Sequence, residues 1–240
     1  MIRLLQIEKD MGTVAALQEL TVLRSGFEYG HAPVLRQSGP DDFEVVSMHW
    51  EFIPAWINSV EQLEAARKQG IPWLNARSET ILSSKMFRDA ALHRRCLVLA
   101  SHFYEWRAYK PEGAKKEIKY PYAIEVAEAD YFYMAGIYNT YVNNETGVVL
   151  NSFAIVTTAA NDLMAEVHNG KKRMPTILPD ELAWRWIMED LTEAEIQTIA
   201  SYQFPSEHMN AYTIAKDFKT AFNPLAPFEY EDLPALDIAL

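Results

Sequence analysis

Apolar and polar residues alternate over 45–52. Val46, Met48, Trp50 and Phe52 interleave with Val45, Ser47, His49 and Glu51, the period of a half-buried strand that Pro54 then ends. The run 96–100 is apolar without a break and of strand length, which predicts a strand buried on both faces. It leads into Phe103, Tyr104, Glu105 and Trp106, one carboxylate among three aromatic rings. Strands are also expected over 1–8, 27–36, 121–126, 131–138, 148–157 and 174–178, and residues 71–76 return to the core. The segments 121–126 and 131–138 read as a hairpin about Glu128-Ala129-Asp130, and a second hairpin turns at 143–147. Helical spacing and caps predict helices over 10–20, 59–70, 83–93, 159–167, 180–188 and 192–202. Two of these carry capping-box pairs, Ser59 with Gln62 and Thr192 with Glu195. Strands dominate the middle and helices flank them, which predicts a single α+β domain over 1–240 with an acidic tail from about 225.

Composition narrows the functional classes. An apolar content of 49% in 240 residues describes a globular protein with ample core. No apolar run reaches membrane-spanning length, and the single cysteine precludes an internal disulfide, so a cytoplasmic setting is expected. Glycine is scarce and scattered, no phosphate-cradling loop or metal spacing stands out, and neither cofactor nor metal is expected. A net charge of −11 argues against broad affinity for nucleic acid but leaves room for a local basic groove. Basic residues cluster at Arg94-Arg95, at Lys115, Lys116 and Lys119, and at Lys171-Lys172-Arg173.

Three stretches join Glu105 as candidates for chemistry. A carboxylate against apolar walls has its charged form disfavoured, which moves its pKa toward the range useful for proton transfer. Asn75 and Arg77 stand two apart on a strand and so share a face, where they suit a phosphate or a carbonyl; with Glu79 they equally suit a structural ion-pair network. His168 falls where the helix over 159–167 ends, as a dipole partner or as an acid/base. Trp50 and Trp56 offer either a stacking platform for bases or core packing. Cys96, inside the buried run, reads as an inert thiol.

Taken in order, these motifs are more specific than any one of them. Trp50-x-x-Ile53-Pro54-x-Trp56, Asn75-Ala76-Arg77-x-Glu79-Thr80, and Arg95-Cys96-Leu97 running into Phe103-Tyr104-Glu105-Trp106 come first. Pro121-Tyr122, Ala135-Gly136-Ile137-Tyr138, Thr157-Thr158-Ala159-Ala160-Asn161 and His168-x-x-x-x-Arg173-Met174-Pro175 follow. The series resembles the SRAP family, the SOS-response-associated peptidases or abasic-site processing proteins. The resemblance implies a strongly bent, barrel-like, largely antiparallel sheet and a groove for single-stranded DNA. It also implies an abasic site as substrate, attacked by the N-terminal amine and captured by a cysteine thiol. In these terms Asn75 orients the linkage, Glu105 is the acid/base and His168 holds the opened sugar. Arg77 meets a phosphate, and Trp50 and Trp56 shape the groove; Arg77 and some of Arg3, Lys171, Lys172 and Arg173 are then expected to border a positive strip beside the site. The pattern departs at its start, where Ile2 stands at the position of the nucleophilic cysteine. Amine-based strand cleavage is then the chemistry expected of this copy. A non-catalytic DNA-binding relative and a hydrolase of another substrate using Glu105 and His168 are the alternatives.

Overall fold

The computed structural model describes residues 23–70 and 73–237. Ile2, Arg3, the strand expected over 1–8 and the helix expected over 10–20 lie outside the described residues. The chain runs β1 (His31–Gly39), β2 (Asp42–Trp50), α1 (Val60–Lys68), β3 (Asn75–Arg77), α2 (Arg88–His93), β4 (Arg95–Ala100), β5 (Phe103–Tyr109) and β6 (Ile118–Val126). It continues through β7 (Phe132–Val142), β8 (Val149–Ala159), α3 (Asp162–Val167), β9 (Arg173–Pro175), β10 (Ile177–Leu178), α4 (Asp180–Met188), α5 (Glu193–Ala200) and β11 (Met209–Thr213). These elements fall into two compact units interleaved along the sequence. The first takes the described part of 1–99 with 133–158 and 175–202; the second takes 100–132, 159–174 and the chain from 203.

In the first unit the sheet order is β10-β7-β4-β1-β2-β8-β3, and β7 also pairs with β8. Strands β7, β4, β1, β2 and β8 therefore close a ring, which removes the free edges an open sheet would expose. The barrel-like sheet expected from the family resemblance is present. It is largely antiparallel, but β8 runs parallel to β2 (His49 opposite Ser152) and to β3 (Asn75 opposite Ile155). Cys96, Leu97, Val98 and Leu99 are all buried, as the unbroken apolar run predicts. Trp186 of α4 is fully buried, and its Nε1–H donates to both Cys96 O (3.0 Å) and Gly136 O (3.1 Å), tying the helix to β4 and β7.

Some local expectations need correction. The alternation over 45–52 breaks down after Met48, because His49 and Glu51 are buried too. Burial works to raise the Glu51 pKa, but hydrogen bonds from His49 and Arg67 outweigh it and hold the carboxyl below its usual value. The helix expected over 83–93 shortens to α2. Ser84 Oγ accepts the Met86 N–H (3.2 Å) and Ser83 Oγ donates to Thr80 O (3.2 Å), so both hydroxyls compete with the helical ladder. At α1, Ser59 accepts from Gln62 N (3.3 Å), but the Gln62 amide oxygen takes the Asn58 N–H instead of closing the box. The box at Thr192 and Glu195 forms in full.

The second unit is built on the antiparallel sheet β11-β6-β5. Strand β6 pairs with β5 and β11, so the hairpin expected between 121–126 and 131–138 is not formed; β7 enters the first unit's sheet instead. Strand β11 was not expected, since its sequence, MNAYT, lacks a clean alternation. The acidic tail is pinned down. Phe228 N–H donates to Thr213 O (2.9 Å), Tyr120 Oη–H to Asp232 (2.6 Å) and Arg107 Nη1–H to Pro234 O (2.7 Å). No described helix is long and apolar enough to cross a membrane.

Candidate active site

Strand alternation places Phe103, Glu105 and Arg107 on one face of β5, and Tyr104 and Trp106 on the other. Glu105 pairs across the sheet with Tyr122, itself buried, and keeps only 25% of its side chain exposed. Burial pushes the Glu105 carboxyl above its usual pKa. The nearby His168, the Trp106 backbone N–H and Lys171 pull the other way without cancelling the shift.

His168 is delivered by a closed loop. Asn161 caps α3, its Oδ1 accepting from Met164 N (2.9 Å) and its amide donating to Phe204 O (2.6 Å). At the other end His168 N–H reaches Met164 O, Lys172 N–H returns to His168 O, and Ala160 N–H closes on Lys172 O, at 2.8, 2.8 and 3.0 Å. Lys172 adopts φ 49° to make that return. His168 Nδ1 lies 2.9 Å from Arg173 O and 3.5 Å from Glu105 Oε1. A carbonyl only accepts, so the Nδ1 position carries the proton, which in the neutral ring leaves Nε2 as the acceptor. The 3.5 Å approach to Glu105 is an ion-pair separation, too long for a good hydrogen bond.

Asn169 supplies a tie that sequence reading passed over. Its Oδ1 accepts from Ala108 N (3.1 Å) and its Nδ2 donates to Ala108 O (2.8 Å), a two-point clamp on the strand that bears Glu105. β5 is an edge strand of its sheet, so its outer backbone groups need such a partner. The available signal was adjacency: an amide beside a candidate histidine in a loop.

The other predicted residues distribute as follows. Asn75 and Arg77 belong to the first unit, where both are exposed on one face of β3 with Ala76 buried between them. Neither side chain has an intramolecular polar partner among the described residues. Trp50, also in the first unit, is committed to packing: its ring stacks on Phe153 (6.1 Å, 12°) and its Nε1–H donates to Leu74 O (3.1 Å). Trp56 is 54% exposed. Lys171 and Lys172 are exposed in the second unit, and Arg173 contributes its carbonyl to His168. The Arg94-Arg95 pair is structural: Arg94 bonds Asp89 and Tyr138 O, and Arg95 bonds the carbonyls of Ala91, Leu92, Trp186 and Glu189. Burial pushes the Cys96 thiol well above its usual pKa, in keeping with an inert core residue.

Comparison with known proteins gives this arrangement its context. Abasic site processing protein YoqW of Bacillus subtilis is 30% identical over 168 residues, which cover 70% of this chain and 68% of that one. Abasic site processing protein YedK of Escherichia coli is 31% identical over 152 residues, covering 63% and 59%. A crystal structure of a protein from Bacteroides thetaiotaomicron superposes with a TM-score of 0.74 at 34% identity, covering 87% of this chain and 83% of its own. A model of the SOS response associated peptidases matches residues 13–221, and by these similarities in sequence and fold the chain belongs to the SRAP family.

Proposed function

We propose that this protein binds single-stranded DNA at an abasic site and that Glu105 moves the protons of the reaction there, with His168 holding the opened sugar. The observation that carries this reading is the Glu105–His168 pair, 3.5 Å apart on two separate backbone segments of a chain in the SRAP family.

The ring-opened form of an abasic sugar presents an aldehyde. An amine adds to its carbon, and the resulting carbinolamine must lose its hydroxyl as water to give an imine. A carboxylic acid beside it donates a proton to that hydroxyl as the C–O bond breaks and the nitrogen lone pair forms C=N. Glu105, with its carboxyl kept protonated to higher pH by burial, suits that step. The carboxylate left behind then accepts a proton from the carbon next to the imine. The electron pair from that C–H bond expels the neighbouring phosphate, which cleaves the strand. His168 Nε2, without an intramolecular partner among the described residues, is available to a sugar hydroxyl. Within the first unit, the exposed amide and guanidinium of Asn75 and Arg77 suit a carbonyl and a phosphate respectively.

Intact-mass analysis and a denaturing gel after incubation with single-stranded DNA carrying one abasic site test this directly. A covalent adduct or strand break that is slowed by Glu105→Gln and by His168→Ala is the expected result. Binding without either product would identify a non-catalytic relative. Neither binding nor product would remove the DNA reading.

A further inference from the structure

Past the stretch matched to the family, the chain turns back over the sheet that carries Glu105. Ile214 bridges Pro227, Phe228 N–H donates to Thr213 O (2.9 Å) and Tyr230 Oη–H donates to Ile214 O (2.8 Å). Tyr120 Oη–H then holds Asp232 (2.6 Å), and Arg107 Nη1–H reaches Pro234 O (2.7 Å) and Ala235 O (3.4 Å). Residues 227–237 thus meet β11, β6 and β5 in turn, all within the second unit. They do so on the face of Glu105. Across the sheet Glu105 opposes Tyr122, Arg107 opposes Tyr120, and Tyr122 opposes Thr213. An open recess of about 290 Å³ lies between Tyr122 and Thr213 on one side and Glu229, Tyr230, Leu233 and Pro234 on the other. Arg107 keeps only 9% of its side chain exposed, and its approach to Glu166 (3.6 Å) is too long for a good hydrogen bond. The segment above it contains Glu229, Glu231, Asp232 and Asp237, all exposed, and no basic residue.

We propose that residues 227–237 are an autoinhibitory strap, which covers Arg107 and holds acidic side chains over the Glu105 face until single-stranded DNA displaces it. Two neutral carbonyls stand where the oxygens of a phosphate would, and a phosphate makes the stronger, charge-assisted bonds to a guanidinium. Exchange of one partner for the other is therefore favourable once the strap lifts. Mostly exposed and tied by a handful of bonds, the strap has the profile of a segment that opens at low cost. While it is down, its carboxylates repel an approaching polyanion. The inference rests on the DNA reading above and adds to it the control of access to the same site.

Hydrogen exchange of the full chain, with and without oligothymidylate, reads the strap directly. Its Phe228 amide, bonded to Thr213 O, should exchange faster when the oligonucleotide binds, whereas a fixed wall of the site would stay as it was or become more protected. Fluorescence anisotropy of labelled oligothymidylate gives the affinity. Tyr120→Phe keeps the buried ring and removes the tie to Asp232, so the open fraction should rise by about 2-fold to 13-fold, the range for one hydrogen bond. Apparent affinity should tighten by the same factor while the closed form dominates. Glu229→Gln/Glu231→Gln, at two exposed positions that do not threaten folding, should also bind more tightly, with the gain shrinking as salt is added. If the wild type binds but Phe228 exchange is unchanged or slower, and neither variant binds more tightly, the strap is overturned and the DNA reading stands. If neither the wild type nor the variants bind, both fall together.

Discussion

Gly136 sits where strands of the closed ring approach closely, and Gly136→Ala measures how tightly they are packed. A Cβ at this position would lie 2.9 Å from Cys96 Sγ, 3.3 Å from Val98 Cγ2 and 3.4 Å from Ala154 O. None of these atoms is the loose end of a long side chain: β4 is fixed by its pairing with β1, and β7 by its pairing with β8. Forcing a methyl into such a core costs about 1–3 kcal/mol. The loss of unfolded-state freedom on replacing glycine returns about 0.4–1 kcal/mol. A net destabilisation centred on about 1.3 kcal/mol, within limits of about 0 and 2.6, is therefore expected, read as a lower urea midpoint at unchanged slope. Cys96→Ala removes the nearest obstacle. The double variant should lose less than the sum of the singles, with a coupling of at least about 0.5 kcal/mol. A Gly136→Ala protein more stable than the wild type, or strict additivity in the cycle, would refute the close-approach reasoning.

Three further outcomes are expected. Asn169→Ala removes both bonds to Ala108, each worth about 0.5–1.5 kcal/mol, and should slow reaction at the lesion beyond its effect on the melting curve; an unchanged rate would show the clamp to be structural only. Arg67→Ala leaves the buried Glu51 carboxylate without its guanidinium partner, and a loss of about 3–5 kcal/mol by denaturant titration is expected, with a loss under about 1 kcal/mol counting against the buried pair. Glu105→Gln should make the protein more stable than the wild type at neutral pH. A carboxyl whose folded pKa is raised contributes its stability below the unfolded value, near about pH 4.3, and loses it as pH rises through the folded value. The variant's advantage should thus appear above about pH 4 and grow toward neutrality, and a pH-independent difference would contradict it.

Where local physics decides the outcome, the sequence was readable. The apolar run through Leu97 dictates a strand buried on both faces whatever it pairs with, and Thr192 with Glu195 builds its cap from neighbours alone. Pairing was less legible. Residues 121–126 and 131–138 each read as strands, but alternation names no partner, and the short turn between them suggested a hairpin that β5, β11 and the first unit's sheet outcompete. Glu51 shows the same limit: its charge marks a solvent face until Arg67, sixteen residues on, supplies the compensating bonds. The candidate site was visible as separate residues, Glu105 after the core strand and His168 after a capped helix. Their approach to 3.5 Å depends on the 160–173 loop closing and on Asn169 finding Ala108, neither of which spacing reveals.

The proton-donor role of Glu105 is tested most directly by the pH dependence of reaction with single-stranded DNA bearing one abasic site, followed by intact mass in wild type and Glu105→Gln. With Glu105 as the acid, the wild-type rate has a limb that falls as pH rises through the raised pKa of its carboxyl. In the glutamine variant the rate should be lower by about 10²–10⁴-fold and that limb should be gone. A glutamine variant that reacts at the wild-type rate with the same falling limb would contradict the assignment.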